Sequence, residues 1–259
     1  MSMSRKINLN ADLGEGFGAY DIGNDDAMLG VIGSASIACG GHAGDPNVMR
    51  RVVLRAKERG VSIGAHPGFA DLWGFGRRPI EMRADDLEHL VAWQIGALQA
   101  MAAYGGLRVT HLKAHGALNN MAAVRQDYAL AIGRAIAVVD RSIIYVVLGG
   151  SQMEAAGVQL GLRVAREAFV DRLYEDDGNL TPRAIPGAVI TDPAVAARRA
   201  VQMVADQAVI SRNGVMLPRR IDTLCVHGDE PTGVAVAQAA RAALAAAGMQ
   251  LVTLPELDL

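Results

Sequence analysis

Short runs typical of buried β-strands alternate along this chain with alanine-rich runs typical of helices. The strand-like runs cover residues 7–12, 35–39, 61–65, 109–113, 143–148, 163–169 and 222–226. Strands that alternate with helices favour a mostly parallel sheet with the helices packed outside it. Seven such units in 259 residues fit one seven-stranded β/α barrel of the TIM type, with residues 1–259 as a single domain. An open, doubly wound sheet is the alternative that the same alternation permits.

Start and stop signals delimit several of the helices. Asp45-Pro46 and Asp192-Pro193 each predict an N-cap followed by proline at the first helical position. Gly105-Gly106 closes a long apolar pattern, as glycine does at many helix ends. Apolar residues at helical spacing predict helices within 48–56, 87–101, 127–139, 195–204 and 233–247. Asn213-Gly214, which lies between two short apolar runs, predicts a small β-hairpin.

Composition excludes several classes of protein. A hydrophobic fraction of 51% excludes a disordered chain, and a net charge of −2 gives no support for a nucleic-acid partner. Cys39 and Cys225 are too few for a disulfide framework, so we expect two reduced, buried thiols. The first residues show no apolar signal-peptide segment, and no apolar run is long enough to span a membrane. We therefore expect a soluble, cytoplasmic protein without a membrane partner.

Titratable residues follow almost every strand-like run. In β/α folds, these positions meet at the carboxyl end of the sheet. Four of the six histidines lie there, each close to a glycine, which packing alone would rarely produce. We therefore predict one shared polar site. Its candidate catalytic residues are Asp12, Glu15, His42, His66, Lys113, His115, Glu167, His227 and Asp229.

Strand periodicity directs two polar stripes toward the barrel interior. Side chains two residues apart share a face of a strand. One stripe is formed by Asn8, Asn10 and Asp12, and the other by His111, Lys113 and His115. We expect Lys113 to neutralise an oxyanion or a phosphoryl group, and the carboxylates and imidazoles to act as acids or bases. A divalent metal is left open, because no compact ligand motif is present; its candidate ligands are Asp12, His66 and His115.

A second group of residues is predicted to bind substrate or phosphate. Residues 73–83 and 172–187 are polar or glycine-rich stretches that we expect to form loops over the active face. Arginines on such loops can hold a carboxylate or a phosphate, and glycine-rich turns can present N–H groups to an anion. Ordinary turns and solvated side chains would leave the same pattern. The candidates are Asn10, Asp45, Arg77, Arg78, Arg172, Gly40 and Gly41.

Six longer motifs occur in this chain in a fixed order: LNADLGEGFG, ACGGHAGDP, GAHPGFADLWGFGRR, LKAHGALNN, EAFVDRLY and VHGD. Together they resemble the LamB/YcsF family, and the resemblance extends from about residue 7 to residue 256 without a missing block. The resemblance implies a seven-stranded barrel similar to that of the glycoside hydrolase/deacetylase group. It also implies hydrolysis of 5-oxo-L-proline to L-glutamate, coupled to hydrolysis of ATP to ADP and phosphate.

The same resemblance implies a multi-subunit hydrolase in which this chain works with subunits B and C. ATP is then the expected cofactor, either with Mg²⁺ or with another divalent metal, and a homo-oligomer is left open. The expected reaction begins with phosphorylation of the amide oxygen, after which water attacks the activated carbon. We predict that His66 or His115 is the general base, with Asp12 or Glu15 either orienting it or holding Mg²⁺.

Three alternatives fit the same residues. The first is a metal-dependent deacetylase or amidohydrolase on the same barrel, which the histidines would serve without ATP. The second is a binding protein for 5-oxoproline that does not catalyse its cleavage. The third is a purely structural role, which the polar end of the barrel disfavours. Two measurements distinguish these alternatives: whether hydrolysis requires ATP, and whether inactive site variants still bind the substrate.

Overall fold

The computed structural model describes residues 5–228 and 231–259, and its organising feature is the predicted alternation of strands and helices. The strands are β1 (Lys6–Leu13), β2 (Ser34–Ala38), β3 (Ser62–His66), β4 (Val109–Lys113), β5 (Ile144–Leu148), β6 (Val164–Phe169), β7 (Ala208–Ile210), β8 (Met216–Pro218), β9 (Thr223–Cys225) and β10 (Gln250–Leu251). The helices are α1 (Asp25–Leu29), α2 (Pro46–Glu58), α3 (Ala84–Gly105), α4 (Gly116–Val124), α5 (Gln126–Val139), α6 (Gln152–Gln159), α7 (Pro193–Asp206) and α8 (Gly233–Ala246). Asp229, a predicted catalytic residue, lies outside the described residues.

Seven parallel strands close into a barrel. The order is β1–β2–β3–β4–β5–β6–β9, and β9 returns to pair with β1. Asn10 of β1 is thereby in register with Ser34 on one side and with Cys225 on the other. This closure confirms the predicted TIM-like barrel and excludes the open sheet. All seven predicted strand-like runs form its walls, and their carboxyl ends share one rim.

The amino end of the barrel is closed by the end of the chain. Strand β10 adds to β1, and a short 3-10 helix (Leu254–Glu256) follows it. Leu254 and Leu257 pack against Ile144, Val146 and Ala165, which line the lower barrel interior. The backbone N–H of Leu254 donates to the Ser34 hydroxyl. Because this end is sealed by apolar side chains, the open polar site lies at the carboxyl rim.

The helices pack their apolar faces on the outside of the sheet and form one continuous core with it. The two predicted N-caps are present: Asp45 accepts from the N–H groups of the first turn of α2, and Asp192 does the same for α7. Gly106 ends α3 in the left-handed conformation that favours glycine. The hairpin around Asn213-Gly214 is confirmed by the antiparallel pair β7–β8. Helices α1, α4 and α6 were not predicted, because they are short and their apolar spacing is weak.

Two further properties of the fold bear on function. Cys39 and Cys225 are both free and buried, as predicted. Within residues 5–228 and 231–259, the structure contains no helix with both the length and the apolar character that a bilayer span requires.

Candidate active site

A cavity of about 660 Å³ opens at the carboxyl rim of the barrel. Ligand pockets for small molecules fall in this size range, and the carboxyl rim is where barrel enzymes place their active sites. Predicted residues from five parts of the chain contribute to its walls, in agreement with the expectation of one shared site. The predicted residues that line it are Asp12, Glu15, His66, Arg77, Lys113, His115, Arg172 and His227.

Lys113 is a buried cation at the end of β4, and it is surrounded by acceptors. Its Nζ lies 2.9 Å from Asp12 Oδ1 and 3.1 Å from Glu167 Oε1. Burial opposes the charge, but Asp12 and Glu167 outweigh burial and raise the pKa of Lys113 well above its ordinary value. The Cys225 Sγ, 2.9 Å from Nζ, remains a thiol because burial raises its pKa. Lys113 is therefore a permanently charged group beneath the cavity.

Three imidazoles gather around one carboxylate oxygen. Glu15 Oε1 lies 3.1 Å from His42 Nε2, 3.2 Å from His115 Nδ1 and 3.9 Å from His66 Nε2. His42 stacks on His115 with the ring centroids 3.6 Å apart. Burial lowers the pKa of His42 to about 3, so His42 is neutral and donates its Nε2–H to Glu15.

Asp12 links this imidazole cluster to Lys113. Its Oδ2 lies 3.3 Å from His66 Nε2, while Oδ1 pairs with the lysine. Burial alone would raise the pKa of Asp12, but the neighbouring His66 and Lys113 hold it well below its ordinary value. Burial of His66 is likewise outweighed, chiefly by Asp12, and the pKa of His66 is raised. The floor of the cavity is thus a connected network of ionised groups.

His227 and Asp171 form a second pair on another side of the cavity. Asp171 accepts from the His227 backbone N–H, and its carboxylate lies 2.9 Å from His227 Nδ1. The carboxylate only accepts, so Nδ1 carries a proton, and the neutral ring has its lone pair on Nε2. Burial opposes ionisation of Asp171, but His227 lowers the pKa of Asp171 below its ordinary value. The ring is stacked on Phe169, with centroids 5.6 Å apart, which further fixes its orientation.

Arginines supply positive charge to the cavity wall. Arg172 is only 7% exposed, and one of its N–H groups donates to the Thr181 carbonyl. Within the part of the chain that the structure describes, its buried Nε has no hydrogen-bond partner. Burial lowers the pKa of Arg172 to about 10, and the like charges of Arg183 and Arg77 act in the same direction. Like charges crowded around an unsatisfied buried donor indicate a site for an anion.

Some predicted residues lie under the cavity or beside it. Asn10 and Glu167 are buried inside the barrel, joined by a 2.9 Å hydrogen bond, and they support Lys113 from below. His42 lies behind Glu15. Asp45 uses its carboxylate to cap α2 and to accept from Gly18 N–H. The structure therefore assigns these residues contacts that support the site.

Three other predicted residues do not reach the cavity wall. Arg78 forms an ion pair with Asp71 and leaves 65% of its side chain exposed. Gly40 has a φ of +87° in the turn after β2, a conformation that glycine adopts without strain. A side chain on Gly41 would overlap Gly68 O and the Gln94 amide, so this glycine serves close packing.

Sequence reasoning left two contributors out of the predicted site. Asp171 follows β6 among other polar residues, but only the fold shows that it holds His227. Arg183 lies inside the stretch 172–187 that we predicted as an active-face loop, yet nothing in that stretch distinguished it from its neighbours. Position in a strand-end loop was therefore the only available signal for both.

Comparison with known proteins agrees with this architecture. Residues 7–258 match the LamB/YcsF family. The chain belongs to the LamB/YcsF family. Relatives of this LamB/YcsF protein include the A subunit of 5-oxoprolinase from Rhodopseudomonas palustris (strain BisB5), which is 53% identical over 248 residues. That alignment covers 95% of this chain and 98% of the relative.

Solved structures place this LamB/YcsF chain among known barrels. The lactam utilization protein from Thermus thermophilus is 43% identical and superposes with a TM-score of 0.90, covering 96% of this chain and 99% of the other. The catalytic domain of a peptidoglycan N-acetylglucosamine deacetylase from Eubacterium rectale superposes with a TM-score of 0.52. It covers 98% of this chain and 90% of the other at 11% identity, so this likeness shows the fold alone.

Proposed function

We propose that this chain is the A component of a cytoplasmic ATP-dependent 5-oxoprolinase that opens the ring of 5-oxo-L-proline to give L-glutamate. The observation that supports this proposal most directly is one cavity with three kinds of group in its wall. These are a buried arginine whose Nε has no partner among the described residues, a buried charged lysine, and a histidine oriented by an aspartate. Such a cavity fits a small lactam that bears one carboxylate. The names of the relatives, a 5-oxoprolinase component and a lactam utilization protein, support the same substrate.

In this proposal, the arginines on one side of the cavity bind the substrate carboxylate. Arg172 lines the cavity; one of its N–H groups is bound to Thr181, and its buried Nε has no partner among the described residues. An arginine–carboxylate contact is charge-assisted and directional, so it also orients the ring. In our proposal, Arg172 binds the carboxylate with Arg183 nearby, and the lactam amide faces the ionised floor.

The floor supplies the electrostatics for activating the amide. The lactam is a stable amide, and transfer of the ATP γ-phosphoryl group to its oxygen creates a good electrophile at the ring carbon. ADP leaves in that step. Lys113, fixed by Asp12 and Glu167, offsets the negative charge on the transferring phosphoryl group and on the oxyanion that forms next.

His227 is the general base in this proposal, in place of His66 or His115. Its Nε2 holds a lone pair and Asp171 orients the ring, whereas both nitrogens of His66 already face partners. Water loses a proton to His227 as its oxygen bonds to the ring carbon. The C–N bond then breaks, the imidazolium returns the proton to the amine, and a second water hydrolyses the acyl phosphate to glutamate and phosphate.

The remaining parts of the complex are proposed from the relatives. Because the relatives are named as one subunit of 5-oxoprolinase, we infer partner chains and identify them with subunits B and C of that enzyme. ATP enters with Mg²⁺ bound to its phosphates, and it approaches the cavity from the carboxyl rim. A metal-dependent amidohydrolase acting without ATP is the alternative, and the histidine and carboxylate cluster favours it.

The test uses the complete three-subunit enzyme and measures glutamate and ADP released from 5-oxoproline. We expect glutamate release to require ATP and this chain, with one ADP formed per glutamate. His227→Gln should lower kcat at least about 100-fold with little change in KM, because general base catalysis contributes about that much. His89→Gln is the matched control, since His89 is exposed on α3.

Two kinds of outcome would contradict the proposal. Normal turnover in His227→Gln would remove the general base assigned here. Glutamate release without ATP would favour the amidohydrolase alternative, and full activity of the other subunits without this chain would exclude a catalytic role for it.

A further inference from the structure

The cluster around Glu15 brings together Glu15, His42, His66 and His115, each with one possible metal-ligating atom within 4.8 Å of the others. His66 Nδ1 lies 2.8 Å from the Lys113 carbonyl oxygen, and His115 Nε2 lies 2.9 Å from the Phe75 carbonyl oxygen. A carbonyl oxygen only accepts, so both of these nitrogens must carry the hydrogen. A histidine must be neutral to ligate a metal, and in the neutral rings the lone pairs are on His66 Nε2 and His115 Nδ1. These two atoms face each other at 3.0 Å.

A carboxylate oxygen completes this arrangement. Glu15 Oε1 lies 3.2 Å from His115 Nδ1 and 3.9 Å from His66 Nε2, so three acceptors converge on one point. Without a metal, a proton on His66 Nε2 faces both His115 Nδ1 and Asp12 Oδ2, and Glu15 Oε1 accepts from His42 Nε2–H; a cation would take the place of the His66 proton. A metal cation satisfies all three at once. Ligands at 2.0–2.1 Å from a tetrahedral ion lie about 3.3 Å apart, which is close to the spacing of these atoms.

The surroundings of the three donors also match a metal site. Each ligating histidine in a metalloprotein usually donates its other N–H to a carbonyl or carboxylate, as both histidines do here. His42 donates its Nε2–H to Glu15 Oε1 at 3.1 Å, which fixes the position of that oxygen. Phe75 has a φ of +53°, which is strained for a bulky residue. In that conformation its carbonyl oxygen accepts a hydrogen bond from His115 Nε2.

We propose that Glu15 Oε1, His66 Nε2 and His115 Nδ1 bind one first-row divalent cation, with Zn²⁺ the best match to two imidazoles and one carboxylate. All three residues line the cavity, whereas His42 does not, so the remaining coordination position faces the substrate space. Three protein ligands and one open position are typical of catalytic zinc sites. This set replaces Asp12 of the predicted ligands by Glu15, because Glu15 Oε1 lies near both imidazole nitrogens. Asp12 is held by Lys113 through Oδ1, and its Oδ2 lies 3.3 Å from His66 Nε2.

The inference is independent of the ATP-coupled reaction, and its test needs neither substrate nor partner chains. The purified full chain is stripped with a chelator, dialysed, and titrated with Zn²⁺ by calorimetry. We expect one ion per chain and a higher Tm in the presence of Zn²⁺, since a ligand that binds only the folded state stabilises it. Co²⁺ used as a second probe should give the visible absorption of a low-coordinate site.

Matched variants locate the ion. Glu15→Gln and His66→Gln should each weaken Zn²⁺ binding by about 100-fold or more, because changes to the outer shell alone cost about 10–100-fold. His89→Gln and His227→Gln should bind like the wild type. The His227 variant matters because Asp12, Cys225 and His227 also lie within 4.8 Å of one another and form the rival group. Near-ultraviolet circular dichroism checks that each variant is folded.

Three results would overturn the proposal: a wild-type chain that binds no Zn²⁺ or Co²⁺, unchanged affinity in folded Glu15→Gln and His66→Gln, or loss of binding in His227→Gln alone. If Glu15→Gln fails to fold, the His66→Gln titration and the wild-type stoichiometry decide the question. Zinc binding without ATP-dependent turnover would leave this site standing and remove only the proposed function.

Discussion

At the scale of single residues, the neighbours of a side chain decide its role. Arg78 and Arg172 both lie in polar stretches after a strand, and both were predicted to bind substrate. Arg78 pairs with Asp71 and leaves 65% of its side chain in solvent. Arg172 is 7% exposed, lines the cavity and has an Nε without a partner among the described residues. The two arginines therefore differ in their capacity to hold an anion.

We expect Arg172→Lys to raise the KM for 5-oxoproline about 10–100-fold, because lysine cannot reproduce the guanidinium's directional contact. Arg78→Lys is the matched control and should leave KM within about 2-fold, since a surface ion pair contributes little. Steady-state kinetics of the three-subunit enzyme measure both values. Equal increases in KM in the two variants would contradict the assignment of the carboxylate to Arg172.

At the scale of secondary-structure elements, the junction between β1 and α1 carries an unusual carboxylate. Asp25, in the first turn of α1, accepts the Gly14 backbone N–H at 3.2 Å. Burial raises the pKa of Asp25 to about 6; Asp21 and Glu15 act in the same direction, and the Gly14 N–H and Arg51 oppose them. The folded protein therefore holds this proton more tightly than the unfolded chain, whose aspartates titrate near pH 4.

The sign of the pH dependence follows from this difference. Between about pH 4 and pH 6, the folded state binds more protons at Asp25 than the unfolded state, so its contribution to stability falls as pH rises. The substitution Asp25→Asn removes this pH-dependent loss of stability, and the asparagine side chain still accepts a hydrogen bond from the Gly14 N–H. We expect the variant to be about 3 kcal/mol more stable than the wild type at pH 7, with almost no difference near pH 4.

Urea unfolding at the two pH values measures this effect. Asp26→Asn, at the next position of the same turn, is the control; its exposed side chain should change the free energy of unfolding by less than about 0.5 kcal/mol at both. An Asp25→Asn variant that is less stable at pH 7 would show that ionised Asp25 supports the junction.

At the scale of the whole molecule, the barrel interior is tightly packed, and this packing requires glycine at particular positions. Gly64 of β3 lies next to His111 of β4, whose ring is fully buried inside the barrel. A Cβ on Gly64 would overlap the His111 imidazole. Gly96, on the outer face of α3, has no atom within 4 Å of the place where its Cβ would stand.

The two glycines predict opposite effects of the same substitution. Gly64→Ala should lower the free energy of unfolding by about 2 kcal/mol, because a sealed barrel cannot move the ring aside. Gly96→Ala should raise it by about 0.5–1 kcal/mol, since alanine restricts the unfolded chain and favours the helix. Denaturant unfolding followed by circular dichroism tests both, and an equal loss in the two variants would contradict the packing argument.

Much of the fold could be predicted, because it depends on local patterns. Apolar runs marked all seven barrel strands, and Asp45-Pro46 and Asp192-Pro193 marked two helix starts. Short helices escaped prediction, since α4 and α6 carry too few apolar repeats to show a period. In the site, strand ends pointed to His66, Lys113, His115 and His227. Asp171 and Arg183 could not be selected in the same way, because their partners lie far along the chain.

Although it left an open sheet as an alternative to the closed barrel, the sequence by itself determined the alternation of strands and helices and the edge of the sheet at which the polar residues would meet. Those properties follow from the period of the strands and from the shared direction of parallel strands, which need no knowledge of distant contacts. Only the tertiary structure decided which groups pair: Asp12 with Lys113, Asp171 with His227, and Glu15 with His115. Ion pairs and hydrogen bonds depend on distances of about 3 Å between residues far apart along the chain, and barrel closure sets those distances.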